Sequence, residues 1–565
     1  MTTNSSHSSM SRRAGEPLLV RAPLAPLASR VSAAEAPLPA AASDRRTAAR
    51  LLIASLRLPA VGAAEAAADP LMAALAPLAG DRRTLWIGLP SVAAPPAPPR
   101  EQLGEGVAGV IQAGGAAQRP VDLSAEERRS CDDGLVQHAL WPLFHDMAPL
   151  ARFELQDWQA FRSINRKFAR AVAQVLARGT GQDLLWVHEP LLMGLAAALR
   201  RRRSPAAATF FLHLPFPAAD SFLRLPWRES LLASLLAYRR IGFQTRRDLG
   251  NFLAAVQLIF PEVAASSVGD GVWQLCGQSG ARSCACLAGV YPEGVDAAGI
   301  AAAAAAPEVE QRAAFLRAAT AGHWPSAPAF PGSQSVTAPS HKIVLALDSL
   351  DAAQGTVLKL RAFAAALERQ PAWRESATLL LHLTPSPLAG SHEKGAALEL
   401  RREVERTVGE INGRLGKAGR VPVHYRFGEI ASSELLALYR AADIALVTPL
   451  RSGMEIIAKS YCAADIAEKG ILVLSEFAGA AAQLRGAWLV NPHDVEATAQ
   501  TLLAALRSQP ARPARDGSAA IPSTAATVER RREMHSLRSE VRRHDLSWWM
   551  RKLLPEALAE PGANG

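Results

Sequence analysis

The chain has 565 residues, 49% of them hydrophobic, which is enough to bury two cores. No apolar run is long enough to span a bilayer, so no membrane helix is expected. The five cysteines (Cys131, Cys276, Cys284, Cys286, Cys462) are too few and too scattered for a disulfide framework, and they point to a reducing, cytoplasmic setting.

The net charge of +10 sits mainly at the ends. Residues 1–50 hold seven Arg against three acidic residues, and residues 511–565 hold ten Lys/Arg against seven. With the basicity in the tails and no nucleic-acid motif, neither a nucleic-acid nor a membrane partner is expected.

Residues 1–47 are rich in Ser, Ala, Pro and Arg without apolar periodicity and read as a disordered tail. Residues 50–55 predict a first strand, 71–78 a helix and 84–88 a second strand. Residues 92–120 read as a Pro/Gly/Ala-rich loop. Apolar residues at helical spacing (Trp158, Phe161, Ile164, Phe168, Val172) predict a helix over 156–178. Leu184 to His188 reads as a buried strand, followed by a helix to about Arg202. Thr209 to His213 is the next strand, closed by Pro215 and Pro217.

Residues 299–340 read as a helix followed by a linker. The alternation then restarts with strands over 342–347, 378–383, 421–427, 444–448 and 471–474. Short apolar runs alternating with helices predict parallel sheets covered on both faces. The expectation is an α/β protein with two Rossmann-like, doubly wound domains facing a cleft. The boundaries are an N-terminal domain over 48–325, a linker over 326–340 and a C-terminal domain over 341–523. A basic helical tail with Trp548 and Trp549 over 524–565 is expected to cross back to the first domain. Ligands should bind outside the carboxyl ends of the strands.

Eight segments carry a resemblance. They are Leu140 to His145 (LWPLFH), Trp186 to Glu189 (WVHE), Phe210 to Pro217 (FFLHLPFP), Ile241 to Thr245 (IGFQT), Glu410 to Gly413 (EING), Leu446 to Arg451 (LVTPLR), Ser475 to Ala481 (SEFAGAA) and Val490 to Asp494 (VNPHD). In this order and spacing, from about residue 50 to 555, the chain resembles the trehalose-6-phosphate synthase family of retaining glycosyltransferases. The resemblance implies the GT-B fold and transfer of glucose from UDP-glucose to glucose 6-phosphate, with no metal and no cofactor. A leaving diphosphate without a metal needs cationic side chains and helix N-termini.

Several positions depart from the family pattern. The family's Arg-Leu-Asp-Tyr-x-Lys-Gly matches Ser349 to Gly355, where Ser349 and Gln354 replace both cations. Charge-assisted hydrogen bonds contribute about 1.5–3 kcal/mol each. Losing two corresponds to about a 10²- to 10⁴-fold loss in affinity. The family's Arg-Asp-Gly-Met-Asn-Leu-Val-x-Lys-Glu matches Arg451 to Ser460. There Ser452 and Ser460 replace the carboxylates that meet glucose and ribose, and Glu455 puts a negative charge near the expected phosphate. Asp69 and Pro70 stand in place of the Gly-Gly loop, Asp132 in place of an acceptor-side Tyr, and Leu388 near an acceptor-phosphate Arg.

Other positions are kept. The resemblance implies substrate-binding roles for Arg57, Trp141, Arg451, Gly453 and Met454, with the backbone N–H groups of Ile456 and Ile457 at a helix start. His213 and Glu189 are the catalytic candidates. Packing remains open for Trp141, a structural hydrogen bond for His213, and an interdomain salt bridge for Arg57 and Arg451. Lys359 and Arg361 follow Gln354, but on the next helix. Cys276, Cys284 and Cys286 match no zinc spacing, so no metal is expected. Two functions follow. One is a non-catalytic paralogue that keeps the fold to bind a protein partner, or itself as a homo-oligomer. The other is an active transferase with a rebuilt site for a nucleotide sugar and a sugar phosphate.

Overall fold

The computed structural model describes residues 50–58, 84–90, 111–113, 116–179, 182–204, 207–280, 282–321, 341–386, 395–417, 419–508 and 524–555. Asp69, Pro70, Leu388, the 1–47 tail and the 326–340 linker lie outside them. The contacts described here fall within the compact unit Thr47–Gly565.

The first sheet is built from β1 (Leu51–Arg57), β2 (Thr84–Leu89), β3 (Ile111–Ala113), β4 (Ala116–Pro120), β5 (Leu184–Val187), β6 (Ala207–Phe211), β7 (Arg240–Phe243), β8 (Ala264–Gly269), β9 (Val272–Ser279) and β10 (Arg282–Val290), in the order β3-β4-β2-β1-β5-β6-β7-β10-β9-β8. From β4 to β10 neighbouring strands run parallel. The central strands are apolar on both faces, as a sheet covered on both sides requires. Leu52 and Ala54 of β1 enter one core, while Leu51 and Ile53 enter the other.

Two features differ from the sequence reading. Residues 111–113 and 116–120, expected as loop, form the edge strand β3 and, between it and β2, β4; their short mixed sequences (IQA and AAQRP) carry no apolar run to signal a strand. Residues 264–290 form an antiparallel ribbon, β8-β9-β10, that extends the otherwise parallel sheet.

Helices on this half include α1 (Ala125–Asp132), α2 (Trp141–Phe144), α3 (Leu155–Leu176), α4 (Leu195–Arg201) and α5 (Arg246–Ile259). The inner stripe of α3 buries Trp158, Phe161, Ile164, Phe168 and Val172, the residues whose spacing predicted it. Two further helices, α6 (Ala297–Ala304) and α7 (Pro307–Thr320), were read as a single helix of the first domain. They place Val295, Ala297, Ala304, Val309 and Ala313 in a core of the second sheet instead.

The second sheet comprises β11 (Lys342–Ser349), β12 (Ala377–Thr384), β13 (Val423–Phe427), β14 (Ile444–Val447), β15 (Ile471–Ser475) and β16 (Trp488–Val490), in the all-parallel order β13-β12-β11-β14-β15-β16. Its helices are α8 (Thr356–Arg369), α9 (Ala396–Leu415), α10 (Ser432–Ala441), α11 (Ile456–Ala464) and α12 (Val495–Ser508). Strand order reverses between β11 and β14, as it does between β1 and β5 in the first sheet. Those reversals are the switch points where doubly wound sheets open a crevice.

The C-terminal segment is two helices rather than one. Helix α13 (Thr524–Arg543) packs on α11, and the Asp545 side chain caps α14 (Leu546–Leu553) by accepting from the Trp548 N–H at 2.7 Å. Helix α14 lies on the first sheet, with the Trp549 ring 5.5 Å from Trp186 and 4.9 Å from Phe211.

Candidate functional site

The floor of the first-domain wall is set by residues that follow β5, β6, β7 and β10. His213 Nδ1–H donates to the Glu293 carboxylate at 2.8 Å. Gln244 and Glu293 bond reciprocally: the Gln244 amide donates to the carboxylate at 2.9 Å, and the Glu293 backbone N–H donates to the Gln244 oxygen at 2.9 Å. Burial pushes the Glu293 carboxyl up. The charge and hydrogen bond of His213, the Gln244 amide and Lys459 outweigh that and hold it below the usual carboxylate range. His188, fully buried beside His213 at a ring separation of 5.7 Å, is pushed well below the ordinary histidine range by burial and by its neighbour.

The second sheet reaches this floor through the loop that starts α11. Gly453 lies so close to the first domain that a Cβ there would sit 1.9 Å from the His213 carbonyl oxygen, so only glycine lets the two backbones meet. Lys459, in the first turns of α11, donates to the Glu293 carbonyl oxygen, and burial lowers its ammonium to about 8 against the pull of Glu293 and Glu540. The Arg451 side chain is 10% exposed. Its nitrogens lie 3.4 Å from Asp146, 3.7 Å from Asp248 and 3.5 Å from the Phe216 carbonyl oxygen. Arg451 thus forms an ion pair with residues of the first domain. Met454 is buried beside Gly453, and its carbonyl accepts from the Ala480 N–H at 2.7 Å.

The wall formed by β11 and the turn after it is different. Ser349 ends the strand, and Asp351 caps the following turn by accepting from the Ala353 N–H at 2.7 Å. Burial raises the Asp351 carboxyl, partly offset by Ala353 and by the Trp141 indole from the first domain. Gln354 precedes Gly355, whose φ of 64° turns the chain into α8. The Leu450 N–H donates to the Ala353 carbonyl at 2.7 Å, which stitches this turn to the loop before α11.

Beneath the turn lies a buried charge cluster. Lys359 is inside α8 rather than on its exposed side, with its ammonium against Asp348, and Thr356 donates to the same carboxylate at 2.7 Å. Glu455 joins them. Its backbone sits in the left-handed region at φ 73°, and its buried carboxyl is pushed up by desolvation, with Lys359 opposing and Asp348 adding to the rise. The sequence reading put the Glu455 charge near an expected phosphate, and the structure turns it inward to Lys359. Arg361 is exposed, 3.8 Å from Glu403.

The remaining expected residues are dispersed. Trp141 opens α2 and stacks on His145 at 3.9 Å. Glu189 follows β5 near Cys131, whose thiol is raised first by burial, then by Asp132 and Glu127, and least by Glu189. Arg57 and Asp132 are exposed at the ends of β1 and α1. Ser452 bonds backbone to backbone with Phe477 at 3.4 Å, and Ile456, Ile457 and Ser460 are half-buried on α11. Strand pairing sets Cys276 opposite Ala285 and Cys284 opposite Gly277. Alternation therefore sends Cys284 and Cys286 to one face and Cys276 to the other, which prevents the three from sharing one ion. Among the described residues no helix is long and apolar enough to cross a membrane.

Glu293, Asp248 and Asp348 were missed in the sequence. Asp348 was legible, one residue past a predicted strand. Glu293 follows a ribbon that was not predicted, and Asp248 lies in an unremarkable helix start.

Two Rossmann-like domains meeting at the carboxyl ends of their strands define a GT-B glycosyltransferase fold. The family model for glycosyltransferase family 20 matches residues 61–558, and the chain belongs to that family. The trehalose-6-phosphate synthase of Mycobacterium avium is 34% identical over 493 residues, covering 87% of this chain and 90% of that protein. The trehalose-6-phosphate synthase of Mycolicibacterium gilvum is 34% identical over 533 residues, covering 94% and 96%. The crystal structure of the UDP-forming alpha,alpha-trehalose-phosphate synthase of Burkholderia xenovorans in complex with glucose-6-phosphate superimposes with a TM-score of 0.73. It has 27% identity and covers 90% of this chain and all of the other.

Proposed function

We propose that this chain is a family 20 homologue that no longer holds a nucleotide-sugar donor and serves as a regulatory or partner-binding paralogue in trehalose metabolism. One observation carries the reading. The second-domain wall holds Asp348 and Glu455 beside Lys359, whose ammonium is already engaged by Asp348, and Asp351 in the turn above them adds a further carboxyl. Without a metal, a leaving diphosphate needs positive charge at that wall, and Ser349 and Gln354 supply none. Ser452 and Ser460 likewise offer no carboxylate to the hydroxyls of a donor.

The test is calorimetry of UDP on the wild type and on Ser349→Arg with Gln354→Lys. The wild type should show no binding at millimolar UDP, and the double variant should bind weakly. Adding Ser452→Asp and Ser460→Glu should then confer selectivity for UDP-glucose over UDP. If the wild type binds UDP as tightly as the double variant, the loss of the donor is disproved.

A second reading, an active transferase with a changed donor or acceptor, draws on the ordered His213–Glu293–Gln244 floor. A melting shift of the wild type with a nucleotide sugar other than UDP-glucose would put that reading first.

A further inference from the structure

The exposed stripe of α3 carries Arg162, Arg166 and Arg170, about one turn apart. Beside it, α4 ends in the run Arg200 to Arg203, and Arg282 opens β10. The Arg200 guanidinium donates to the Ser283 carbonyl at 3.3 Å, which ties the end of α4 to the start of that strand. All of these arginines are exposed. Arg201 is held below its ordinary value, first by partial burial and then by repulsion from Arg282, Arg162 and Arg166. Among the described residues, no ion pair joins any of them to a carboxylate.

An arginine-rich composition alone does not produce such a face. Helix α9, of similar length on the second domain, is richer in arginine and neutralises it. Arg401 pairs with Glu405 at 2.8 Å, Arg402 with Glu399 at 2.7 Å, Arg406 with Glu410 at 2.5 Å and Arg414 with Glu368 at 2.7 Å. Mixed signs are the usual state of a surface; the arginine stripe on α3 and α4 has no acid within it, although Lys167 of α3 pairs with Glu127 and Glu154 is exposed at the head of the stripe.

At the head of the same stripe, Leu150, Phe153 and Leu155 are exposed by 57%, 37% and 60%. We propose that this arginine face and its apolar head form a docking surface for a second protein that presents an acidic segment ending in apolar side chains. Arginine together with exposed apolar and aromatic residues is the composition of a protein interface. Single-stranded nucleic acid would need aromatic side chains among the arginines, but Trp158, Phe161 and Phe168 of α3 all face inward. A phosphate backbone would leave Leu150 and Leu155 without apolar contacts. A bilayer would need an apolar helix face, and that of α3 is already in the core.

The full chain would be titrated by fluorescence anisotropy with a labelled glutamate-rich peptide ending in leucine and phenylalanine. Parallel arms would use the same peptide without its apolar end, a duplex DNA and phosphatidylserine vesicles. The complete peptide should bind best, and its affinity should fall about tenfold from low to physiological salt. Arg162→Glu with Arg166→Glu and Arg201→Glu should abolish binding. Arg166→Gln with Arg201→Gln should weaken it without lowering the melting temperature, since repulsion is relieved. Phe153→Ser with Leu155→Ser should weaken only the complete peptide, and Arg402→Glu with Arg406→Glu on α9 should change nothing. Failure of the peptide to bind, binding insensitive to the α3 and α4 variants, or tighter binding of DNA or vesicles would each overturn the proposal.

Discussion

The two walls of the cleft use charge in opposite ways. On the first-domain wall a buried carboxylate, Glu293, is satisfied by a histidine, an amide and the nearby Lys459. On the second-domain wall a buried ammonium, Lys359, is satisfied by Asp348 with Glu455 close by. In both places the chain answers its own charges. A cationic side chain in a GT-B cleft is therefore no sign of anion binding until its partners are known, and the same holds for Arg451 beside Asp146 and Asp248.

The largest effect should come from breaking the second wall. Lys359→Met leaves Asp348 and Glu455 buried without their cation, at an expected cost of about 3–5 kcal/mol in urea unfolding. Raising their pKa values relieves part of this, so the variant should recover stability as pH falls toward 5. A variant as stable as the wild type at pH 7 would remove Lys359 from the account of that wall.

Lys459 sharpens the contrast by joining the two walls. Its ammonium is lowered from 10.5 to about 8. Between those values the unfolded chain holds the proton and the folded chain does not, so stability rises with pH across that window. The rise attributable to this group is about 3 kcal/mol. Lys459→Met should lack it, and stability curves from pH 7 to 11 that stay parallel for the two proteins would contradict the burial argument.

Gly453→Ala tests the closest approach of the walls. A methyl group 1.9 Å from the His213 carbonyl oxygen forces the loop and the first domain apart, at about 1–3 kcal/mol. Increased protease cleavage or a larger radius of gyration in small-angle scattering should accompany the loss.

The smallest effect should be Glu293→Gln, about 1–2 kcal/mol at neutral pH, because the amide oxygen can still accept from the His213 Nδ1–H. The Glu293 carboxyl lies below its ordinary value of 4.5, so its contribution is present above that value and disappears as pH falls through the folded one. The variant should therefore show a shallower acid limb. An identical acid limb in both proteins would show that Glu293 is not held low.

Much of the fold was legible. Apolar runs such as Leu184 to Val187 and Ile444 to Val447, set between helical stretches, read as buried strands, and the stripe of α3 reads as a helix with one inward face. The antiparallel ribbon was not legible, because β8 is largely solvent-facing and the half-buried β9 (VWQLCGQS) lacks a continuous apolar signal. Of the site, His213 and Gly453 were singled out as a catalytic and a substrate-binding candidate, and their close approach across the domains was not foreseen. Glu293 escaped because nothing in Tyr291-Pro292-Glu293 reveals a histidine 80 residues away.

By itself the sequence determined the strand–helix alternation and a frame of two doubly wound domains, which depend on residue type and on short-range periodicity; the GT-B assignment and the list of distinctive positions came from the family resemblance. Only the tertiary structure decided what each charge does. Whether Lys359, Glu455 and Arg451 face a ligand or each other depends on which strand ends and helix starts are brought within a few ångströms. That proximity comes from the packing of elements distant in sequence, where desolvation and pairing together set the energy of a charge.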